Sequence, residues 1–146
     1  MIVIGSDHAG YRLKELIKAY FREIDKPFID IGTDSEDSCD YPIFAEKVAK
    51  KVVNTEHSGG ILVCGSGIGV SIAANKVKGA RAALCMNEEL AEMSRRHNDA
   101  NILCLGARYI DFERAKSIIK VFLSTEFEGG RHERRIQEIK DIEKNN

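Results

Sequence analysis

No apolar run in this chain approaches the roughly 20 residues a helix needs to span a bilayer, so no membrane partner is expected. Charge of one sign is not in excess. With 22 Lys and Arg against 23 Asp and Glu the net charge is −1, and that total implies no basic face for nucleic acid or acidic lipid. Cysteine is sparse. Cys39, Cys64, Cys85 and Cys104 form no CxxC pair and no metal-like grouping, so no metal site is expected. The opening residues, MIVIGSDHAG, lack the basic region and long apolar core of a signal peptide. They read as the first strand, and the protein is expected to be cytoplasmic, where disulfides are rare. Repeats, low-complexity segments and linkers are also missing. The 146 residues, 43% hydrophobic and 31% charged, fit a soluble globular protein with a proper core, one domain over residues 1–146.

What is present is a regular alternation. IVIGS, PFIDIG, GILVC, RAALC and NILCLG are short apolar runs. Between them lie stretches with apolar residues at helical spacing. In YRLKELIKAYFREI these are Leu13, Leu16, Ile17, Tyr20, Phe21 and Ile24. PIFAEKVAKKVV, GVSIAANKV, EELAEMSRRHN and FERAKSIIKVFLST follow the later runs. Five strands, each followed by a helix, predict an α/β domain with a parallel sheet and right-handed crossovers. A last helix, RHERRIQEIKDIEKN, has no strand after it. Its narrow stripe of Ile136, Ile139 and Ile142 suits docking on a surface, a partner's included. Cys85 and Cys104 lie in strand-like runs and read as small buried apolar residues. Cys39, in the polar loop DSEDSCDYP, is given no role, and His57 reads as a surface loop residue.

In open parallel sheets ligands bind beyond the carboxyl ends of the strands. Those ends deliver Asp7 and His8, then Asp40 and Tyr41, then Cys64 with its glycines, then Asn87 and Glu88, then Arg108. The stretch CGSGIG places Cys64 directly before Gly65, Gly67 and Gly69. It is not a Walker loop, because the sixth place from Gly65 is Val70 rather than glycine. It is not a dinucleotide fingerprint either. The third glycine comes one place early, and RAALC ends in no acidic residue for a ribose. A cysteine-phosphatase cradle would want an arginine six places after Cys64, where Val70 stands. A Cys–His hydrolase remains open, with His8 and His97 available.

A glycine-rich turn entering a helix donates several N–H groups, aided by the helix dipole. Such surroundings favour thiolate over thiol. A thiolate beside an oxyanion cradle suits removal of a carbon-bound proton next to a carbonyl. Ser66 adds one further donor. The plainer reading is a strand–turn–helix junction with an inert thiol. At the chain end, Arg131 and Arg135 share a helix face and could fork a phosphate. The alternative is a solvated basic turn offset by Glu133 and Glu138. His132 points away from that pair. His97 and Asn98 close a helix, where a histidine also serves as a dipole partner.

SDHAG, DYP, CGSGIG, SIAANK, RAALC, HNDANIL, LGAR and EGGRHERR occur in one order along nearly the whole chain. In this the sequence resembles type B ribose-5-phosphate isomerases, whose wider family includes isomerases of allose 6-phosphate and galactose 6-phosphate. The resemblance implies a Rossmann-like three-layer sandwich with strand order 2-1-3-5-4 and a dimer or tetramer with sites at the subunit interface. It also implies interconversion of ribose 5-phosphate and ribulose 5-phosphate through an enediolate, without metal or organic cofactor. Carried over by position, Cys64 is the base. Ser66 stands where a threonine is common, keeping the hydroxyl and losing the methyl group. Gly65, Gly67, Ile68 and Gly69 form the loop that holds the enediolate oxygens. Asp7 and His97 match residues that open the sugar ring. His8, Arg131 and Arg135 match phosphate contacts. Asn98, Arg108 and Tyr41 match other positions lining the site. The presence of Cys64 argues against a non-catalytic sugar-phosphate binding subunit.

Overall fold

In the computed structural model, which describes residues 1–146, the sheet's centre is set by three strands with apolar side chains on both faces. These are β1 (Ile2–Ser6), β3 (Gly59–Cys64) and β5 (Ile102–Gly106), buried almost throughout. Runs of this kind, apolar without alternation, belong in a parallel sheet covered on both sides. The shorter β2 (Phe28–Asp30) and β4 (Ala82–Leu84) are half-buried and form the edges. The order is β2-β1-β3-β5-β4, with every pairing parallel. Fold class and strand order agree with the expectation.

Side chains alternate across this sheet, as the period of two requires. Ile2, Ile4, Ile61, Val63, Leu103 and Leu105 face one layer. There they meet α1 (Tyr11–Glu23) and α5 (Phe112–Ser124) through Ile17, Phe21, Ile118 and Ile119. The same layer takes Ala91 of α4 (Glu88–Arg96). Val3, Leu62, Cys64, Ile102 and Cys104 face the other layer. It is built from α2 (Tyr41–Val53) and α3 (Ile68–Ala74), with Val48, Ala49, Val52, Val70 and Ala74. Asn87 and Asp111 cap α4 and α5, accepting from Leu90 N–H at 2.8 Å and Arg114 N–H at 2.8 Å. Such caps are worth about 1 kcal/mol each.

The helix after β3 is shorter than its periodicity predicts, ending at Ala74 rather than Val77. Asn75 stops it. Its side-chain amide donates to Ala82 O at 3.0 Å, and its Oδ1 accepts from Ala82 N–H at 2.8 Å. The exchange ties the helix end to the start of β4. The last helix, α6 (Arg131–Lys144), buries Ile136 but leaves Ile139 and Ile142 exposed. No helix in the chain is long and apolar enough to cross a membrane.

Candidate active site

The chain leaves β1 toward β2 on one side and reaches β3 on the other. The carboxyl ends of β1 and β3 therefore form the switch-point crevice of an open α/β sheet. Asp7 and His8 leave one strand there, and Cys64 with its glycines leaves the other. Asp7 N–H donates to Val63 O at 3.2 Å, which fixes the two ends side by side. Asp7 Oδ1 accepts from Gly10 N–H at 3.0 Å, steadying the turn into α1. His8 Nδ1 accepts from Cys39 N–H at 3.2 Å, with the Cys39 Sγ 3.9 Å away. The cysteine given no role thus orients a candidate phosphate ligand through its backbone.

Cys64 is buried, with 5% of its surface exposed. Its Sγ accepts a hydrogen bond from Gly67 N–H at 3.1 Å. Ser66 Oγ accepts from Ile68 N–H at 3.2 Å, which leaves its hydroxyl hydrogen free to donate. The first bond of α3 runs from Ser71 N–H to Gly67 O at 3.3 Å. The amides of Gly69 and Val70 therefore have no partner within the helix and face the turn as open donors. Two of the glycines have a definite reason. Gly67 has φ +79°, and a Cβ there would lie 2.5 Å from Leu84 Cδ1 and 3.0 Å from the Leu105 carbonyl carbon. A Cβ on Gly69 would lie 2.6 Å from the Tyr41 ring, so the tyrosine packs directly against bare backbone. Arg108 lies across Gly65, and its N–H donates to Gly65 O at 3.0 Å. Of the residues expected at the site, Asp7, His8, Tyr41, Cys64, Gly65, Ser66, Gly67, Ile68, Gly69 and Arg108 meet at this one edge.

The remaining four do not. α4 runs back antiparallel to its strand, so its end lies at the amino edge of the sheet. Arg81, just before β4, donates from Nε to Asn98 O at 3.2 Å, placing His97 and Asn98 beside the strand starts. Glu128 N–H donates to Arg96 O at 3.0 Å and brings the beginning of α6 to the same place. Arg131 and Arg135 are exposed there and form no ion pair, with Glu133 and Glu138 paired to neither. β3 is six residues long and spans about 20 Å at about 3.3 Å per residue. Within one chain, these four residues are a sheet's height away from Cys64. A cavity of about 770 Å³ also opens at the amino edge, between α6 and the start of β4, with Asn98 in its lining.

One residue of this second cluster escapes the sequence reading. His132 is 5% exposed, and its ring stacks on His97 with centroids 4.3 Å apart and planes 14° from parallel. Burial pushes its pKa below the usual histidine value, as do the neighbouring His97 and Arg131, while Glu128 opposes them. The available signal was the apolar stripe itself. His132 lies one turn before Ile136 on the same face, so the row that docks α6 begins with it. As expected, it turns away from Arg131 and Arg135, and His57 is exposed. Cys85 and Cys104 are buried, and burial drives both thiols up, a Ser94 hydrogen bond partly opposing this at Cys85. They are packing residues.

A cysteine at the switch point of a doubly wound sheet, bonded to the amide of a glycine turn, is the layout of an α/β enzyme. Residues 2–139 match the model of the Ribose/Galactose Isomerase family, and the chain belongs to that family. Ribose-5-phosphate isomerase B of Escherichia coli (strain K12) is 46% identical over 142 residues, covering 97% of this chain and 95% of its own. The structure of ribose-5-phosphate isomerase B from Clostridium thermocellum superposes with a TM-score of 0.96 at 50% identity, covering 99% of this chain and 97% of that one. The enzyme from Mycoplasma genitalium, solved with bound ribulose-5-phosphate, gives a TM-score of 0.94 at 44% identity, covering 99% and 97%.

Proposed function

We propose that this chain is an aldose–ketose isomerase that interconverts ribose 5-phosphate and ribulose 5-phosphate, with Cys64 as the base. The observation that carries this reading is the Gly67 N–H on Cys64 Sγ at 3.1 Å, set beside unpaired amides at the start of α3. That amide aims a hydrogen-bond donor at the sulfur and fixes where it stands. The thiolate takes the proton from C2 of the open-chain aldose. The charge moves to the C1 oxygen, which the amides of Gly69 and Val70 and the Ser66 hydroxyl receive. Return of the proton to C1, with transfer of the hydroxyl proton from O2 to O1, leaves the ketone at C2. Carbon 1 is reduced as carbon 2 is oxidised, so the reaction balances within the sugar. No metal or organic cofactor takes part.

Ring opening precedes this and belongs to Asp7 and His97. The phosphate is taken by His8, Arg131 and Arg135, while Tyr41, Arg108 and Asn98 line the sugar. Because His97, Asn98, Arg131 and Arg135 lie at the far edge of the sheet, they act on the Cys64 of a second copy. The working unit is a homodimer or a tetramer of such dimers, with each 146-residue chain one domain. Two free guanidinium groups and the exposed Ile139 and Ile142 support a face of α6 that meets another chain. The four free cysteines suit a cytoplasmic protein.

The test is turnover by the purified chain of ribose, allose and galactose phosphates, with Cys64→Ala alongside. Ribose 5-phosphate is expected to give the highest kcat/KM. Removing a general base costs about 10²–10⁴-fold, and Cys64→Ala is expected to lose at least that while keeping the parent's circular dichroism. Preference for a six-carbon phosphate would move the substrate assignment. Activity within threefold of the parent would remove Cys64 from the chemistry.

A further inference from the structure

We propose that His97, Glu128 and His132 form a three-ligand site for zinc or a similar borderline divalent cation, and that occupation of it inhibits the enzyme. The three come from separate places in the chain: the end of α4, the connection before α6, and the first turn of α6. Their donor atoms all lie within 4.8 Å of one another. Local hydrogen bonds hold the backbones in place. His97 N–H donates to Met93 O at 2.9 Å, Glu128 N–H to Arg96 O at 3.0 Å, and His132 N–H to Gly129 O at 3.1 Å.

A second observation points to a ligand. His132 Nε2 is buried and has no hydrogen-bond partner in the chain. Its nearest carboxylate oxygen, Glu128 Oε1, is 3.8 Å away, too far for a hydrogen bond. A buried nitrogen left without a partner is destabilising, and a cation between the two groups satisfies both. Two imidazoles and one carboxylate are the donor set of open zinc sites, where a fourth position takes water or another ligand. Nitrogen donors also select against magnesium and calcium. Ligands about 2.1 Å from a tetrahedral centre stand about 3.4 Å apart, so the donors must draw in and the stacked rings must open. Glu128 is exposed and His97 half-buried at a helix end, and both are free to move onto the fixed His132.

Binding itself does not depend on the catalytic reading. Inhibition does, because it rests on His97 serving ring opening, and a metal on that imidazole removes its proton-transfer lone pair. The test is calorimetric titration of the full-length, metal-free protein with zinc chloride and with magnesium chloride. Parent, Glu128→Gln and Cys64→Ala are compared, with circular dichroism to confirm folding. One zinc per chain and no magnesium are expected. Loss of a ligand should weaken zinc binding by at least about tenfold in Glu128→Gln, with Cys64→Ala binding as the parent does. Zinc should inhibit sugar-phosphate turnover by the parent, reversibly with chelator, and inhibit Glu128→Gln correspondingly less. Equal zinc affinity in Glu128→Gln, or loss of binding in Cys64→Ala, overturns the site. Binding without inhibition overturns the inhibitory role. If the parent turns over no sugar phosphate, the catalytic reading fails while calorimetry still decides the metal site.

Discussion

Cys64 and His97 are expected to serve different proton transfers, and their surroundings differ accordingly. Cys64 is enclosed, with an amide on its sulfur. His97 ends a helix, half-buried, and stacks on a second imidazole. A residue that only opens the ring matters only to substrates that have a ring. His97→Asn is therefore expected to slow ribose 5-phosphate far more than an open-chain aldose phosphate such as erythrose 4-phosphate. General acid–base removal should cost about 10²-fold or more on the cyclic sugar. Steady-state kinetics on the two substrates measure the ratio, and equal losses would assign His97 another task. The thiols that do no chemistry are equally well explained. Cys85 and Cys104 are displaced from the ionised form by burial, and the neighbouring Cys64 and Cys85 add to this at Cys104.

Between α1 and β2 lies the ion network that seats the first helix on the sheet. Lys14 is fully buried, and its Nζ donates to Asp30 Oδ2 at 2.6 Å. Lys18 donates to the same oxygen at 2.7 Å, and Gly32 N–H donates to Oδ1 at 2.9 Å. Burial alone would raise the Asp30 carboxyl, but the two lysines and the Gly32 amide outweigh it and hold it below the ordinary value of 3.8. A carboxylate depressed in this way stabilises the fold above its unfolded pKa, and that contribution is lost as pH falls through the folded value. Asp30→Asn leaves Lys14 with Glu15 alone, at 3.2 Å. Taking one partner from a buried pair costs about 3 kcal/mol at the lower end of the usual range. Urea midpoints should separate parent and variant clearly at pH 7, and the gap should begin to narrow below about pH 4 and close as the pH passes the lowered folded value. A gap unchanged at pH 3 would mean the loss is one of packing rather than charge.

On the proposed reading, the two halves of the site meet only in an assembly of two chains. Cys64→Ala and His97→Asn homodimers should each be nearly inactive. When the two are unfolded, mixed equally and refolded, half the dimers are mixed, and in each of these one of the two sites draws both intact residues. Recovery of about a quarter of parental activity is expected for a site shared across a two-fold interface. No recovery would place Cys64 and His97 of a single site on the same chain. Sedimentation of the same samples reports whether the active species is a dimer or larger, and an active monomer would end the shared-site reading.

Local spacing carried much of this protein. Periods of two and of about 3.6 located the strands and helices, because side-chain direction repeats with backbone geometry over a few residues. The Cys64 turn was legible for the same reason: strand, cysteine, glycines and helix are contiguous. Element ends were less legible. Asn75 stops α3 through bonds to Ala82, and a contact across that gap leaves no trace in helical period. The folded chain alone decided that His97 stacks on His132, 35 positions away, and that Cys39 holds His8. It also decided that residues the family resemblance gathers into one site stand at opposite edges of the sheet. Each strand–helix unit reverses direction, so a side chain after a strand and one after the next helix end a strand's length apart. Pattern along a chain records which face a residue takes; which distant residue it meets depends on how the packed layers bring remote segments together.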